Sequence, residues 1–388
     1  MIRTYKYRLY PRRAQRELLS FLLEWARNLY NAALGHRIET YKNAGKGVSY
    51  PEQWNHFRDE RCAHPETFGK LNATSVQQLL RRLDKAFKAF FRRLKAGEKP
   101  GFPRFKGKNR FRSLEYRYGD GCKLRMDATG RTVFYVQNVG EIKVKYHRPV
   151  PDDAQIKQAV LKQSFGKWYV CLTLETSESQ SAPSFDALIG VDMGLKSLLA
   201  FSDGTIIENP RWLRTSLNKL RVAQRRLSRR KKGSHRRRKA AWQVAWIHEK
   251  IKNQRQDFWH KLTRKMVENC RLIALEDLSL AFMTQNRRLA LSAHDAGLGM
   301  FQRLLEYKAE EADIQVVAVD PRNTSQMCSG CGELVSKSLK VRTHRCPKCG
   351  LVLDRDVNAA RNILKLALPP LGRSGQAPTW TEVRSCVA

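Results

Sequence analysis

The chain has 388 residues, 42% of them hydrophobic, which suits two or three domains of about 150 residues with cores of their own and excludes a low-complexity polymer. Its 73 Lys and Arg against 36 Asp and Glu give a formal charge of +37, which repels itself in a compact state unless a polyanion neutralises it. With no run of about 18 apolar residues and no apolar core in the N-terminal MIRTYKYRLYPRRAQ, a membrane span and a signal peptide are not expected, and the polyanion is expected to be nucleic acid in the cytoplasm.

RTYKYRLYP alternates up to Pro11 and predicts a strand. RAQRELLSFLLEWARNLYNAALGHRIETY places Leu19, Leu22, Leu23, Ala26, Tyr30 and Ala33 at helical spacing. A second helix is predicted over SVQQLLRRLDKAFKAFFRRLKAG, with the stripe Leu79, Leu83, Phe87 and Phe90 flanked by Arg81, Arg82, Lys85, Lys88, Arg92 and Arg93, a basic flank suited to phosphates. From EKPGFPRFKGKNRFRS to about residue 177 the texture turns to Gly, Pro and alternating runs such as RTVFYVQNV, EIKVKYH and KWYVCLTLE, short strands of a barrel or sandwich. A small β domain split by a helical insertion is therefore expected.

SESQSAPSFDA reads as a linker by composition, and LIGVDMGLKSLLAFSDG as a buried strand running into a hairpin. Between Asn209 and His248 there is no Asp or Glu, and Leu213, Leu217, Leu220 and Leu227 lead into RRLSRRKKGSHRRRK, which predicts a two-helix hairpin with a basic tip. A charge run is ordinarily a solvated face, but this one lacks local acids to compensate it. Arg225, Arg226, Arg229, Arg230, Lys231, Lys232, Arg236, Arg237, Arg238 and Lys239 are thus candidate nucleic-acid contacts. CRLIALEDL and ADIQVVAVDP, each after a helical segment, read as parallel strands of an α/β sheet. The tail over 369–388 is rich in Pro, Gly and Ser and is expected to be disordered.

Of nine cysteines, Cys62, Cys122, Cys171, Cys270 and Cys386 stand alone and read as ordinary thiols. Cys328, Cys331, Cys346 and Cys349 form two C-x-x-C pairs, each followed by glycine, in CSGCGELVSKSLKVRTHRCPKCG. Such turns aim two thiolates each at one ion and complete a tetrahedral S4 site suited to structural Zn²⁺, with no open position for hydrolysis. A redox dithiol would need only one pair.

Asp192 stands inside the apolar LIGVDM, Glu276 ends the apolar RLIALE, and Asp356 opens the helix VNAARNILK. Each has a plain alternative: the strand acids can pair with one of the many arginines, and Asp354 or Asp356 can cap the helix. Together, acids on a first strand, a later parallel strand and a final helix have the arrangement of RNase H-like nucleases, where carboxylates hold two Mg²⁺ ions about 4 Å apart for phosphodiester hydrolysis.

The succession GVDMGLKS, basic hairpin, NQRQDFWHKL, LIALEDL, NRRLALSAHDAG, DPRNTSQMCSGCG, CPKCG and DRDVNAARNI resembles the TnpB (OrfB) family of insertion sequences over nearly the whole chain to about residue 366, least in the N-terminal third. The resemblance implies an α+β multidomain fold: a wedge β-barrel (1–12 and 101–180) with an inserted helical recognition lobe (13–100), then an RNase H-like RuvC domain (186–326 and 350–368) with a basic hairpin (209–262) and a zinc ribbon (327–349). It implies RNA-guided DNA cleavage beside a short flanking motif in a bacterial or archaeal cell, where the protein would be nucleoid-associated. Guide RNA from the transposon end and double-stranded target DNA are the implied partners, and Asp192, Glu276 and Asp356 the implied catalytic Mg²⁺ ligands. Asp354 becomes a neighbour that caps or supports, and Gln77 and Gln78 are candidate readers of adenine edges. Where the family often reads DxGW, this chain has Asp295, Ala296, Gly297 and Leu298, and a packing change is expected. A nuclease-inactive RNA-guided repressor and an RNA-independent transposase are the competing functions, and a zinc-ribbon transcription factor leaves Asp192 and Glu276 without a role.

Overall fold

A computed structural model describes residues 1–108, 110–176, 187–338 and 340–368. The expected disordered tail, and all of the expected linker but Ala187, lie outside the described residues. The chain divides into two compact units, Met1–Glu178 and Ser179–Ala388.

In the first unit, β1 (Ile2–Tyr10) is followed by helices α1 (Arg13–Ala44), α2 (Tyr50–Ala63) and α3 (Ala73–Lys95). Six strands come next: β2 (Ser113–Arg117), β3 (Cys122–Met126), β4 (Thr132–Val136), β5 (Gly140–Lys145), β6 (Gln155–Ser164) and β7 (Lys167–Glu175). All seven strands join one antiparallel sheet in the order β2-β6-β7-β1-β5-β4-β3. The first strand thus pairs with β7 and β5, and the helices are an insertion into the sheet's chain path. Alternation explains β1, whose Tyr5, Tyr7 and Leu9 are buried while their neighbours face outward. The predicted stripe of α1 is buried throughout, and with Leu79 and Leu83 of α3 it joins the inward residues of the sheet in one core. Phe87 and Phe90 continue the α3 stripe only half-buried.

The second unit opens on β8 (Leu188–Met193), β9 (Ser197–Phe201) and β10 (Ile206–Glu208), then the hairpin of α4 (Trp212–Ser228) and α5 (His235–Asn269). There follow β11 (Leu272–Glu276), α6 (Leu280–Gln285), α7 (Ala290–Ala296), α8 (Leu298–Glu311) and β12 (Gln315–Val319), and then β13 (Thr343–Arg345), β14 (Val352–Asp354) and α9 (Arg355–Ala367). The five-stranded sheet runs β10-β9-β8-β11-β12, with β8, β11 and β12 parallel and the rest antiparallel.

Helices cover both faces of the parallel strands, which is why LIGVDM and LIALE read as continuous apolar runs. Ile189, Val191, Met193, Ile273 and Leu275 pack into the core formed with α5 and α8, whereas Leu188, Leu272 and Ala274 belong with Ile363 and Leu364 of α9. Side chains alternate along a strand, so Asp192 and Glu276 fall on the α9 side. That helix lies so close to β8 that a Cβ on Gly190 would overlap the Ala360 carbonyl oxygen.

The base of the helical hairpin is tied by Asp295, only 1% exposed, which accepts from the backbone N–H groups of Leu213 (2.7 Å) and Arg214 (3.1 Å) and lies 3.7 Å from Arg255 Nη2. Trp259 Nε1 donates to the Ala296 carbonyl at 3.1 Å. Leu298, where the family often has tryptophan, is 2% exposed and packs in the same core as Trp259 and Phe301.

Candidate active site

Asp192 and Glu276 end up side by side because β8 and β11 are adjacent and parallel, with Val191 in register with Leu275. Asp356 reaches them from the first turn of α9. Asp354 is the N-cap of that helix: its Oδ1 accepts from Asp356 N (2.8 Å) and Val357 N (3.4 Å), so its place is structural, as its position before the helix suggested.

Electrostatics mark the three acids as one group. Burial, then the charges of Glu276 and Asp356, push the Asp192 carboxyl well above the usual carboxylate range. Burial and Asp356 raise Glu276 as well, against a hydrogen bond from the Thr324 hydroxyl to its Oε1. Burial also raises Asp356, opposed by the guanidinium of Arg342, which donates to its Oδ2. Neither Asp192 nor Glu276 is in an ion pair among the described residues, so the plain alternative of an arginine partner does not account for the strand acids; the acid with an arginine partner is Asp356, and the cap is Asp354. Three acids raised first by burial, with Asp192 raised further by the other two and Glu276 by Asp356, are a donor set of hard oxygens suited to divalent cations. They do not close around one point as tightly as the cysteines do, which are the only such group of three or more ligating side chains among the described residues.

The cysteine sulfurs lie within 4.8 Å of one another, with Cys328 to Cys349 at 3.6 Å and Cys331 to Cys346 at 3.5 Å. Four thiolates bonded to one zinc at about 2.3 Å stand about 3.8 Å apart, so the cluster fits that ion. Gly332 and Gly350, one after each pair, have φ of +79° and +72°, the left-handed turn their positions require. Backbone N–H groups of Cys349 and Lys348 aim at the Cys346 sulfur and hold that thiol down at about 6. The hairpin of the second knuckle continues past the expected boundary at 349, because β14 pairs with β13 and runs straight into α9.

Thr324, Arg342, Asn358 and Asn362 were not singled out from the sequence. Asn358 accepts from Ser329 N (2.9 Å) and donates to the Met327 carbonyl (2.8 Å), while Asn362 donates to the carbonyls of Thr324 (2.8 Å) and Met327 (2.7 Å). The helix bearing Asp356 is thereby clasped to the first cysteine knuckle and to the residue that orients Glu276. A signal existed in DRDVNAARNI: two asparagines one turn apart in a helix interior cost helix propensity and need another reason. Thr324→Val should leave the fold intact and raise the divalent-cation concentration needed for half-maximal activity by about 10- to 100-fold, checked by metal titration; an unchanged requirement would show that Glu276 needs no orienting donor.

Of the predicted nucleic-acid contacts on the hairpin, all are exposed except Arg237. Its Nη1 donates to the carbonyls of Leu227 (2.9 Å) and Arg230 (3.0 Å) and closes the tip where α4 ends. In the first unit, Gln77 and Gln78 are half-buried on the second turn of α3, Arg81 lies 5.6 Å from the Tyr50 ring centre, and Arg82 Nη1 donates to Ser113 Oγ at 3.2 Å. No helix of the described residues is long and apolar enough to cross a membrane.

The chain is thus a mixed α/β multidomain protein with a carboxylate trio beside a four-cysteine knuckle, and its fold is similar to that of Cas12 effectors. The Cas12f1 chain solved with guide RNA and target DNA aligns at a TM-score of 0.58 and 16% identity, over 90% of this chain and 82% of that one. Family models match at residues 1–46 (helix-turn-helix domain of OrfB_IS605), 170–287 (OrfB_IS605, "Probable transposase") and 299–363 (Cas12f1-like TNB domain). A Streptomyces pristinaespiralis protein named as an RNA-guided DNA endonuclease is 33% identical over 373 residues, covering 94% of this chain and 89% of its own. Escherichia coli InsQ, of the same description, is 29% identical, covering 94% and 92%. The chain belongs to the TnpB (OrfB) family of RNA-guided DNA endonucleases.

Proposed function

We propose that this protein is an RNA-guided DNA endonuclease of an insertion sequence, which cleaves target DNA beside a short flanking motif with Asp192, Glu276 and Asp356 as its catalytic residues. The observation that carries the reading is the convergence of three mutually repelling carboxylates, from two adjacent parallel strands and one helix, in a chain of net charge +37. Membership of the family supports the same reading.

In this reading the strands of the first unit form the wedge barrel (1–12 and 101–180), into which the recognition lobe (13–100) is inserted. The second unit is the RuvC-like domain (186–326 and 350–368), with its hairpin (209–262) and zinc ribbon (327–349). Mg²⁺ held by the three carboxylates supplies, when bound, an activated water and charge stabilisation for the leaving 3′ oxygen. Thr324 orients Glu276 through its hydroxyl, and Arg342 holds Asp356 and brings positive charge to the place where a phosphodiester would lie. Zn²⁺ on the four cysteines fixes the knuckle that clasps α9.

Specificity comes from base pairing between guide RNA, transcribed from the transposon end, and the target strand. Basic side chains of the hairpin tip and of α3 contact backbones, with Gln77 and Gln78 as readers of the flanking duplex. The test is Mg²⁺-dependent cleavage of a plasmid library carrying one target and a randomised flank by protein co-expressed with its transposon-end RNA. Guide-dependent cuts next to one enriched motif are expected; binding of RNA and target without any cut would replace this function with that of a repressor.

A further inference from the structure

The hairpin carries a feature that phosphate contacts leave unexplained. Trp242 and Trp246 on α5 are 58% and 48% exposed, although tryptophan is ordinarily among the most buried side chains on average. Ala240, Ile247 and Ile251 define the inner face of α5, and at 100° per residue the two tryptophans fall on the opposite face, in a stripe with Arg238, Lys239 and Lys250. The Lys250 ammonium lies 5.9 Å from the Trp246 ring centre. The two rings stand one helical turn apart among these cations, and the acid that shares the face, Glu249, is 3.8 Å from Lys252 Nζ.

A membrane-binding helix would set a broad apolar face against a charged one, but the outer stripe mixes two rings with charged side chains, Glu249 among them, and carries no Leu, Ile, Val or Met. A nucleic-acid strand satisfies both chemistries at once, because every base has an apolar face for a ring and every nucleotide a phosphate for an ammonium or guanidinium. One helical turn separates the rings by about 6 Å along the axis, more than the about 3.4 Å between stacked bases, so the pair suits two splayed, unpaired nucleotides. Duplex DNA and A-form helices keep their base faces inside the stack.

We propose that Trp242 and Trp246 are a stacking platform for unpaired bases of the guide RNA, with Lys239 and Lys250 on the adjoining phosphates. The proposal rests on the RNA-guided function above. Guide RNA is chosen over a displaced DNA strand because it is the partner bound before, during and after cleavage, and so the one that keeps an apolar patch covered throughout.

The test measures guide-RNA affinity against salt for the full chain and for Trp242→Ala, Trp246→Ala, the double alanine variant, the double phenylalanine variant and Lys239→Ala. Stacking is uncharged, so each alanine should weaken binding about tenfold with an unchanged salt slope, and the phenylalanines should restore most of it. Lys239→Ala should instead lower the slope by about 1. Photocrosslinking of 5-iodouridine placed in unpaired positions of the guide should mark the same two residues.

Wild-type RNA affinity retained in the double alanine variant would overturn the platform alone. So would a loss confined to single-stranded DNA binding, or to self-association of the chain. A wild-type protein with no affinity for its guide RNA would overturn the RNA-guided function together with it.

Discussion

Asp192→Ala should reduce DNA cleavage on the order of 10³-fold or more while guide-RNA binding stays at the wild-type level, because the substitution removes a member of the proposed catalytic trio and touches no proposed phosphate contact. Its carboxyl is held above the usual range by burial and by Glu276 and Asp356, so the metal-free site is electrostatically unfavourable. A function bought at that cost has a second signature. Asp192→Asn keeps the shape and removes the charge, so its metal-free melting temperature should rise by a few degrees, and the stabilisation by added Mg²⁺ should shrink. Cleavage assays, RNA binding and melting curves with and without Mg²⁺ read all three. Undiminished cleavage would remove Asp192 from the catalytic group.

Cys346→Ser should abolish zinc binding, lower the melting temperature by on the order of 10 °C and eliminate cleavage, although Cys346 is not among the three acids. The coupling is structural. Ser329 and Met327, at the first knuckle, are held by Asn358 and Asn362 of α9, and β14 of the second knuckle leads into the Asp354 cap of the same helix. A slack knuckle therefore loosens the segment that delivers Asp356. Elemental analysis should fall from one zinc per chain to none, and a chelator should reproduce the loss in the wild-type protein; zinc content unchanged by the substitution would rule out the four-cysteine site.

Much of this molecule was legible in local sequence. Apolar residues three and four apart fixed the face that α1 buries, alternation fixed β1 and β7, and unbroken apolar runs marked β8 and β11 as strands covered on both sides. The cysteine pairs and their glycines announced the S4 site because a knuckle is a local turn, and Asp192 and Glu276 stood out because a charge in an apolar strand demands a reason. What local pattern could not supply was partnership. Thr324 on Glu276, Arg342 on Asp356, and Asp295 on the first turn of α4 join residues brought together only when distant segments close on one another. The same limit explains Arg237, one cation among many in the sequence, whose guanidinium is committed to the carbonyls at the hairpin tip. Periodicity, spacing and charge runs are properties of neighbours along the chain, and they determined the elements and the candidate ligands. Which donor satisfies which buried acceptor depends on the distances set by packing, and the tertiary structure alone decided it.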